Sequence, residues 1–220
     1  MAKQKEKQFV VIGLGRFGAS VARALYAQGC DVLAIDHDAE AVDEIADDVT
    51  HAVQAEAADE EALKRLGLRN FDVAVIAIGN DVQSSILAAL LCKEMGIGFV
   101  MAKAHSELHE KVLLRLGVDR VVRPEKEMGV RVAHSLTSRN IIEMIELSDV
   151  FQLVETHLPE GWAGSSLRQL NVRVRFGINI VAIRRGAELL ASPHGDEILQ
   201  SGDELVVIGT KQDVERLERL

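Results

Sequence analysis

The stretch Phe9-Val10-Val11-Ile12-Gly13-Leu14-Gly15-Arg16-Phe17-Gly18 decides the fold. Four apolar residues in succession suit a buried parallel strand, and the glycines after them, spaced G-x-G-x-x-G, suit a turn that opens a helix. Gly13 permits the tight turn, Gly15 lets a phosphate approach the backbone, and Gly18 lets helix and strand pack closely. The helix N-terminus offers unpaired N–H groups to an anion. Phe17, Val21, Ala24 and Leu25 then share one helical face, and Gly29 closes it, since glycine takes the left-handed conformation of a helix end without strain. The next strand, DVLAI, is followed at once by Asp36, roughly 20 residues beyond the last glycine, where a carboxylate accepts ribose hydroxyls and repels a 2′-phosphate. Adenosine nucleotides or NAD therefore fit better than NADP. Arg16 departs from an ordinary dehydrogenase loop: it opposes the helix dipole, and its guanidinium can grip phosphate oxygens bidentately.

Outward from this motif the chain alternates β-branched runs with amphipathic ones, the pattern of an α/β doubly wound parallel sheet. Six strands are predicted, at 9–12, 31–35, 51–54, 73–78, 99–103 and 120–122, with further helices at 59–66, 82–95, 106–116 and 125–137. Beyond residue 140 the strands shorten (VFQLVETHL, INIVAIRR, AELLA, DELVVIG) and a helical QDVERLERL follows, which predicts a small α+β domain. The division expected is 1–137 for a Rossmann-like nucleotide-binding domain, 138–149 for a linking segment and 150–220 for the second domain. With Ile141, Ile142, Met144, Ile145 and Leu147, the linking segment is too apolar to hang free and is expected to pack, for instance on another subunit.

Composition narrows the function. Of 220 residues, 48% are hydrophobic and 27% charged, the balance of a globular protein, while aromatics at 4% leave packing to aliphatic side chains. A net charge of -9 argues against a nucleic-acid partner, which calls for a basic face. No run reaches the roughly 20 apolar residues of a membrane span, and the opening MAKQKEKQF lacks a signal peptide's apolar stretch, so a cytoplasmic protein is expected. Cys30 and Cys92 fit no disulfide framework and read as buried, reduced packing residues; the seven histidines show no metal-ligand spacing.

The motif GLGRFG, Asp36, Ala77-Ile78-Gly79, Lys103, the run Pro124-Glu125-Lys126-Glu127-Met128-Gly129 and the tail Gly202-Asp203-Glu204-Leu205-Val206-Val207-Ile208-Gly209 together resemble the RCK (KTN) regulators of potassium channels and transporters, over essentially the whole chain. The resemblance implies a homo-oligomer, an octameric ring of dimers, docked on the inner face of the membrane beneath a KtrB-type potassium-conducting subunit and gated by ATP and ADP. It places Gly13, Gly15, Arg16, Phe17, Gly18, Asp36, His37, Ala55, Glu56, Ala57, Ala77, Ile78, Gly79 and Lys103 around the nucleotide, with Arg16 reaching for a γ-phosphate held in the neighbouring subunit. It also implies that Glu125 helps bind a divalent cation (Mg or Ca) or sodium at the dimer interface. In the C-terminal domain it implies a cyclic di-AMP site, with Leu167 packing on a base, Arg173 on phosphate and Asn179 on adenine. Arg168 stands there where the family often has an apolar residue. Read without the family, Arg173 and Arg175 belong to an exposed strand edge, and Trp162 anchors a turn. The glycines and Asp36 equally suit a small NAD-dependent oxidoreductase, but no constellation downstream places a substrate against a nicotinamide; an enzyme is not expected.

Overall fold

The computed structural model of the protein describes residues 7–138 and 140–219. Its chain divides into two compact units between Pro124 and Glu125.

In the first unit, β1 (Gln8–Ile12), β2 (Asp31–Asp36), β3 (His51–Gln54), β4 (Val73–Ile76), β5 (Phe99–Lys103) and β6 (Arg120–Val122) form one parallel sheet in the order β3-β2-β1-β4-β5-β6. Helices α1 (Arg16–Ala27), α2 (Ala39–Ile45), α3 (Glu60–Arg65), α4 (Val82–Glu94) and α5 (Glu107–Arg115) connect the strands. Strand side chains alternate between two cores. Val10, Ile12, Leu33, Ile35, Ala74 and Ile76 pack with Leu63, Ala88, Ala89 and Leu113, whereas Val11, Val32, Ala34 and Val75 pack with Ala22, Val42 and Ile45. Both faces of the sheet's centre are thus buried, α3 to α5 on one and α1 and α2 on the other, which is why its central strands read as apolar runs.

This is the expected doubly wound fold, with two differences of detail. The fourth strand ends at Ile76 rather than Ile78, and α2 was not anticipated, because only Val42 and Ile45 of its seven residues are buried. Cys92 is fully buried, and burial pushes its thiol up to about 12; Cys30 is half-buried rather than buried.

The second unit holds α6 (Pro124–Thr137, which begins at the boundary), β7 (Ile141–Glu146), β8 (Phe151–His157), α7 (Leu167–Leu170), α8 (Val172–Phe176), β9 (Asn179–Arg185), β10 (Glu188–Ala191), β11 (Glu204–Thr210) and α9 (Lys211–Glu218). Its antiparallel sheet runs β10-β9-β11-β8-β7 over a core of Val154, Ile178, Ile183, Leu205 and Val207 with Trp162, Val214 and Leu217. The apolar segment 138–149 contributes the edge strand β7, paired with β8. Trp162 is buried, its ring 5.4 Å from Phe176. The strand edge proposed for Arg173 and Arg175 is corrected: both lie on the short helix α8, bracketed by Asn171 (φ 45°) and Gly177 (φ 77°) in left-handed conformation, which turn the chain at both ends.

Candidate functional site

The β1–β4 neighbour pair is the point where the strand order reverses, and a crevice opens there beyond the C-terminal ends of the strands. Ile12 is level with both Ile35 and Ile76, so β1, β2 and β4 deliver their following turns to one place. A cleft of about 590 Å³ results.

Its glycines divide the labour. Gly13 has φ 96°, and a Cβ there would stand 2.9 Å from the backbone of Ala77 and Ile78. A Cβ on Gly18 would stand 1.8 Å from the Gly13 carbonyl oxygen, so these two glycines serve the packing of the turn against β4. Gly15 is different: a Cβ would meet nothing within 4 Å. That space faces the N-terminus of α1, which has Gly15 as its N-cap, no side-chain cap and no acid in its first turn. The free helix end is suited to an anion.

Asp36 fixes the opposite end of the loop. Its Oδ2 accepts the Leu14 N–H at 2.5 Å, and its Oδ1 accepts the Asp38 N–H at 3.0 Å and faces His37 Nδ1 at 2.8 Å. The His37 carbonyl in turn accepts Gln54 Nε2 at 2.9 Å, and Ala55 N–H donates to the Asp36 carbonyl at 2.9 Å, tying the end of β3 to the same corner.

Of the residues singled out from the sequence, Gly13, Gly15, Asp36, His37, Glu56, Ala57, Ala77, Ile78 and Gly79 line the cleft together. Arg16, Phe17, Gly18, Ala55 and Lys103 stand outside that lining. Gly18 is buried against the turn, and Ala55 packs on the core. Lys103 Nζ lies 5.9 Å from the Phe17 ring centroid and within 3.6 Å of where a Cβ on Gly79 would be, at the edge of the cleft. Arg16 is exposed on the first turn of α1.

Sequence reasoning missed Leu14, Asp38, Ala41, Asn80, Asp81 and Ser84, all of which line the cleft. Two had a legible signal as N-caps: Asp38 accepts the Glu40 N–H ahead of α2, and Asp81 the Ser84 N–H ahead of α4. The Ser84 hydroxyl, donating at 2.6 Å, and the backbone N–H hold the Asp81 carboxyl below the usual carboxylate range.

The second set of candidates lies in the second unit. Leu167 and Arg168 are on α7, Arg173 on α8, and Asn179 opens β9. Leu167 packs on the core, whereas Arg168, Arg173 and Asn179 are exposed. Arg168 is held by Asp196, with Nε to Oδ1 at 3.1 Å and Nη2 to Oδ2 at 3.2 Å. Glu125 is exposed in the first turn of α6, and among the described residues no group of three His, Cys, Asp or Glu side chains could hold a metal ion.

The fold and cleft define a nucleotide-binding α/β domain joined to a small antiparallel one, and comparison with known proteins gives the family. The TrkA-N domain model matches residues 9–124 and the TrkA-C domain model residues 153–220. The chain belongs to the TrkA-domain family that includes the Ktr system potassium uptake proteins. It is 45% identical to Ktr system potassium uptake protein C of Bacillus subtilis, covering 97% of both chains, and 42% identical to protein A of the same system, covering 99% of this chain and 98% of that one. The RCK resemblance, of the KtrA type, thus holds over nearly the whole length. Among solved structures, the GsuK channel bound to NAD superposes with a TM-score of 0.69 at 16% identity, over 100% of this chain and 40% of that chain, and shows the shared fold. The chain therefore spans less than half of that channel. The Kef C-terminal domain of Shewanella denitrificans, solved in an AMP-bound form, matches 60% of this chain and 80% of its own at 26% identity, with a TM-score of 0.52. No helix among the described residues is long and apolar enough to cross a membrane.

Proposed function

We propose that this chain is a nucleotide-gated regulatory subunit of a potassium uptake system rather than an enzyme. The observation that carries the reading is the cleft: open space over Gly15, an uncapped helix end and Asp36 fixed by the loop backbone and His37, in a chain related over nearly its whole length to Ktr proteins. The AMP-bound Kef domain supports an adenine nucleotide as the ligand class. ATP and ADP are the physiological pair in this reading, with NAD as the competing ligand. Phosphates lie on the N-terminus of α1, ribose on Asp36, and Arg16 is free to reach a γ-phosphate of a neighbouring subunit. Because only differential binding shifts two states, a guanidinium that meets ATP but not ADP gives the ring its reason to respond.

The chain forms an octameric ring of dimers on the cytoplasmic face, beneath a KtrB-type membrane subunit. Glu125 fits a cation site only in part: one carboxylate supports a Mg, Ca or sodium ion if a second copy or the nucleotide supplies the remaining ligands. Leu167, Arg173 and Asn179, with Arg168 released from Asp196, form the cyclic di-AMP site of paired C-terminal domains. The test is potassium flux into vesicles carrying a KtrB-type subunit with this chain added. Flux should be higher with ATP than with ADP, and Arg16→Ala should remove the difference while ADP still binds. Equal flux with both nucleotides in the wild type contradicts gating.

A further inference from the structure

Helix α5 is capped by a histidine. Its N-cap Ser106 accepts the His109 N–H at 3.2 Å, which is the first half of a capping box. The second half is ordinarily a Glu or Gln at this third helical position, reaching back to a backbone N–H. Here the residue is His109, and its Nδ1 accepts the His105 N–H at 3.4 Å, one residue before the N-cap. An imidazole nitrogen accepts only while it is unprotonated, so neutral His109 carries its proton on Nε2. The ring is closed off from solvent: His109 is 2% exposed, and Nε2 has no hydrogen-bond partner among the described residues. A second proton would turn Nδ1 from acceptor to donor against the His105 N–H, in a place where the other N–H already lacks an acceptor.

The turn that His109 closes also holds the exit from the first unit. Glu107 and Glu110, on either side of it in sequence, bind Arg123, with Oε1 of Glu107 3.3 Å from Nη1 and Oε2 of Glu110 3.1 Å from Nε. Arg123 follows β6 and stands directly before Pro124, where the unit ends and α6 begins. We infer that His109 is a proton-operated latch on that exit. Neutral, it closes the first turn of α5 and keeps Glu107 and Glu110 set on Arg123. Protonated, it lets the turn and the exit open together several-fold more often, while the sheet stays folded.

The surroundings disfavour that proton. Helix α5 packs on α4 and β6. The buried residues of α4 are Ser85, Ala88, Ala89, Leu91 and Cys92, of which only the Cys92 thiol is ionisable, and burial keeps it neutral. The charges on β6 and at its end are the cations Arg120 and Arg123, and Lys103 ends the neighbouring β5. On α5 itself, Glu107 and Glu110 are engaged with Arg123. The His105 ring, its centroid 6.4 Å from that of His109, repels it when charged, as does the positive end of the helix dipole. Burial first, and His105 second, hold His109 below the ordinary histidine range. Its folded value lies below its unfolded one, so the latch is closed above about pH 6.5 and weakens as pH falls toward the folded value.

Amide exchange of the full chain, followed residue by residue by NMR and corrected for the intrinsic rate, tests the latch at pH 7.5 and 5.5. In the wild type, protection at 105–110 and 120–123 should fall together by about three- to tenfold, ten being the most that a histidine of ordinary pKa near 6.5 supplies one pH unit below it. In low urea, exchange at these residues should stay flat, the mark of a local opening, while that of Val10 and Val75 in the central strands speeds up. His109→Gln, which accepts at the same position without titrating, should lose most of the acid response at 105–110. The imidazole nitrogen shifts of the wild type give a reading that needs no variant: at pH 7.5 the proton of His109 should sit on Nε2. A proton on Nδ1, unchanged protection of the wild type in acid, an equal acid response in His109→Gln, or exchange at 105–110 as sensitive to urea as that of Val10 overturns the latch.

Discussion

The two units of this chain expose their ligand chemistry in opposite ways. In the first, the candidate site belongs mainly to the backbone: a turn, a helix end and one carboxylate, all delivered by the switch point of a parallel sheet. In the second, three of the four candidate residues, Arg168, Arg173 and Asn179, are exposed side chains on two short helices and a strand end, and one of them, Arg168, already has an internal partner in Asp196. A backbone site is written into the fold, and it is lost without disturbing the fold only where an added side chain occupies the ligand's own space, as at Gly15. On the proposed reading, the side-chain site of the second unit is completed by a second copy. Substitutions should therefore separate the units sharply.

The largest effect is expected at Gly18. A branched side chain there cannot coexist with the Gly13 carbonyl, so Gly18→Val should cost about 5 kcal/mol or more, on the scale of a whole domain's stability, and remove nucleotide binding with it. Thermal melting followed by circular dichroism checks this, and the second unit should keep its own transition, reported by the fluorescence of Trp162, the single tryptophan. If both transitions vanish together, the two units are not independent.

Arg173→Ala comes next. With two copies around one two-fold ligand, it should weaken cyclic di-AMP binding by about 3 to 6 kcal/mol, from about 1.5 to 3 for each charge-assisted bond, without touching ADP affinity. Titration should also give one cyclic di-AMP per two chains; one per chain, or none in the wild type, returns Arg173 to an ordinary surface charge. Asp36→Ala should weaken ATP and ADP alike by about 1.5 to 3 kcal/mol, since both carry the ribose it accepts. A loss confined to one nucleotide would place Asp36 elsewhere than at the ribose.

Acid gives the smallest and most gradual separation. His109, 2% exposed, is held below the ordinary histidine range by burial and by His105. Its folded value lies below its unfolded one, so its contribution is present above about pH 6.5 and is lost as pH falls. In the second unit, Asp203, bonded to Arg185, and Asp213, bonded to Thr210, are held below the usual carboxylate range. Their contribution is complete above about pH 4 and fades only further down. Hydrogen exchange at pH 7.5 and 5.5 should therefore show protection falling first in the first unit; a second unit that loosens first would reverse this assignment.

Legibility in the sequence follows the same division. The central strands β1, β2 and β4 could be read to within a residue or two because both their faces are buried, which makes their middles apolar runs. The helix α2 could not, since Glu40, Asp43 and Glu44 surround its two buried residues, and seven residues give too little periodicity. Val172-Arg173-Val174-Arg175-Phe176 alternates like a strand yet forms a helix, because the left-handed residues at its ends and the contact of Phe176 with Trp162 decide its course. At the cleft, Gly13, Gly15 and Asp36 were readable from spacing alone. Asp38 and Asp81 look like ordinary helix caps in sequence, and only the topology brings both caps to the same opening.

The most direct test of the account is calorimetric titration of the full chain with ADP, beside the Gly15→Val variant. Since nothing in the fold crowds Gly15, the variant should melt like the wild type, and its branched side chain should fill the phosphate position. One ADP should bind per wild-type chain and none to the folded variant. Unchanged ADP affinity in the folded variant, or no binding by the wild type, would contradict the account.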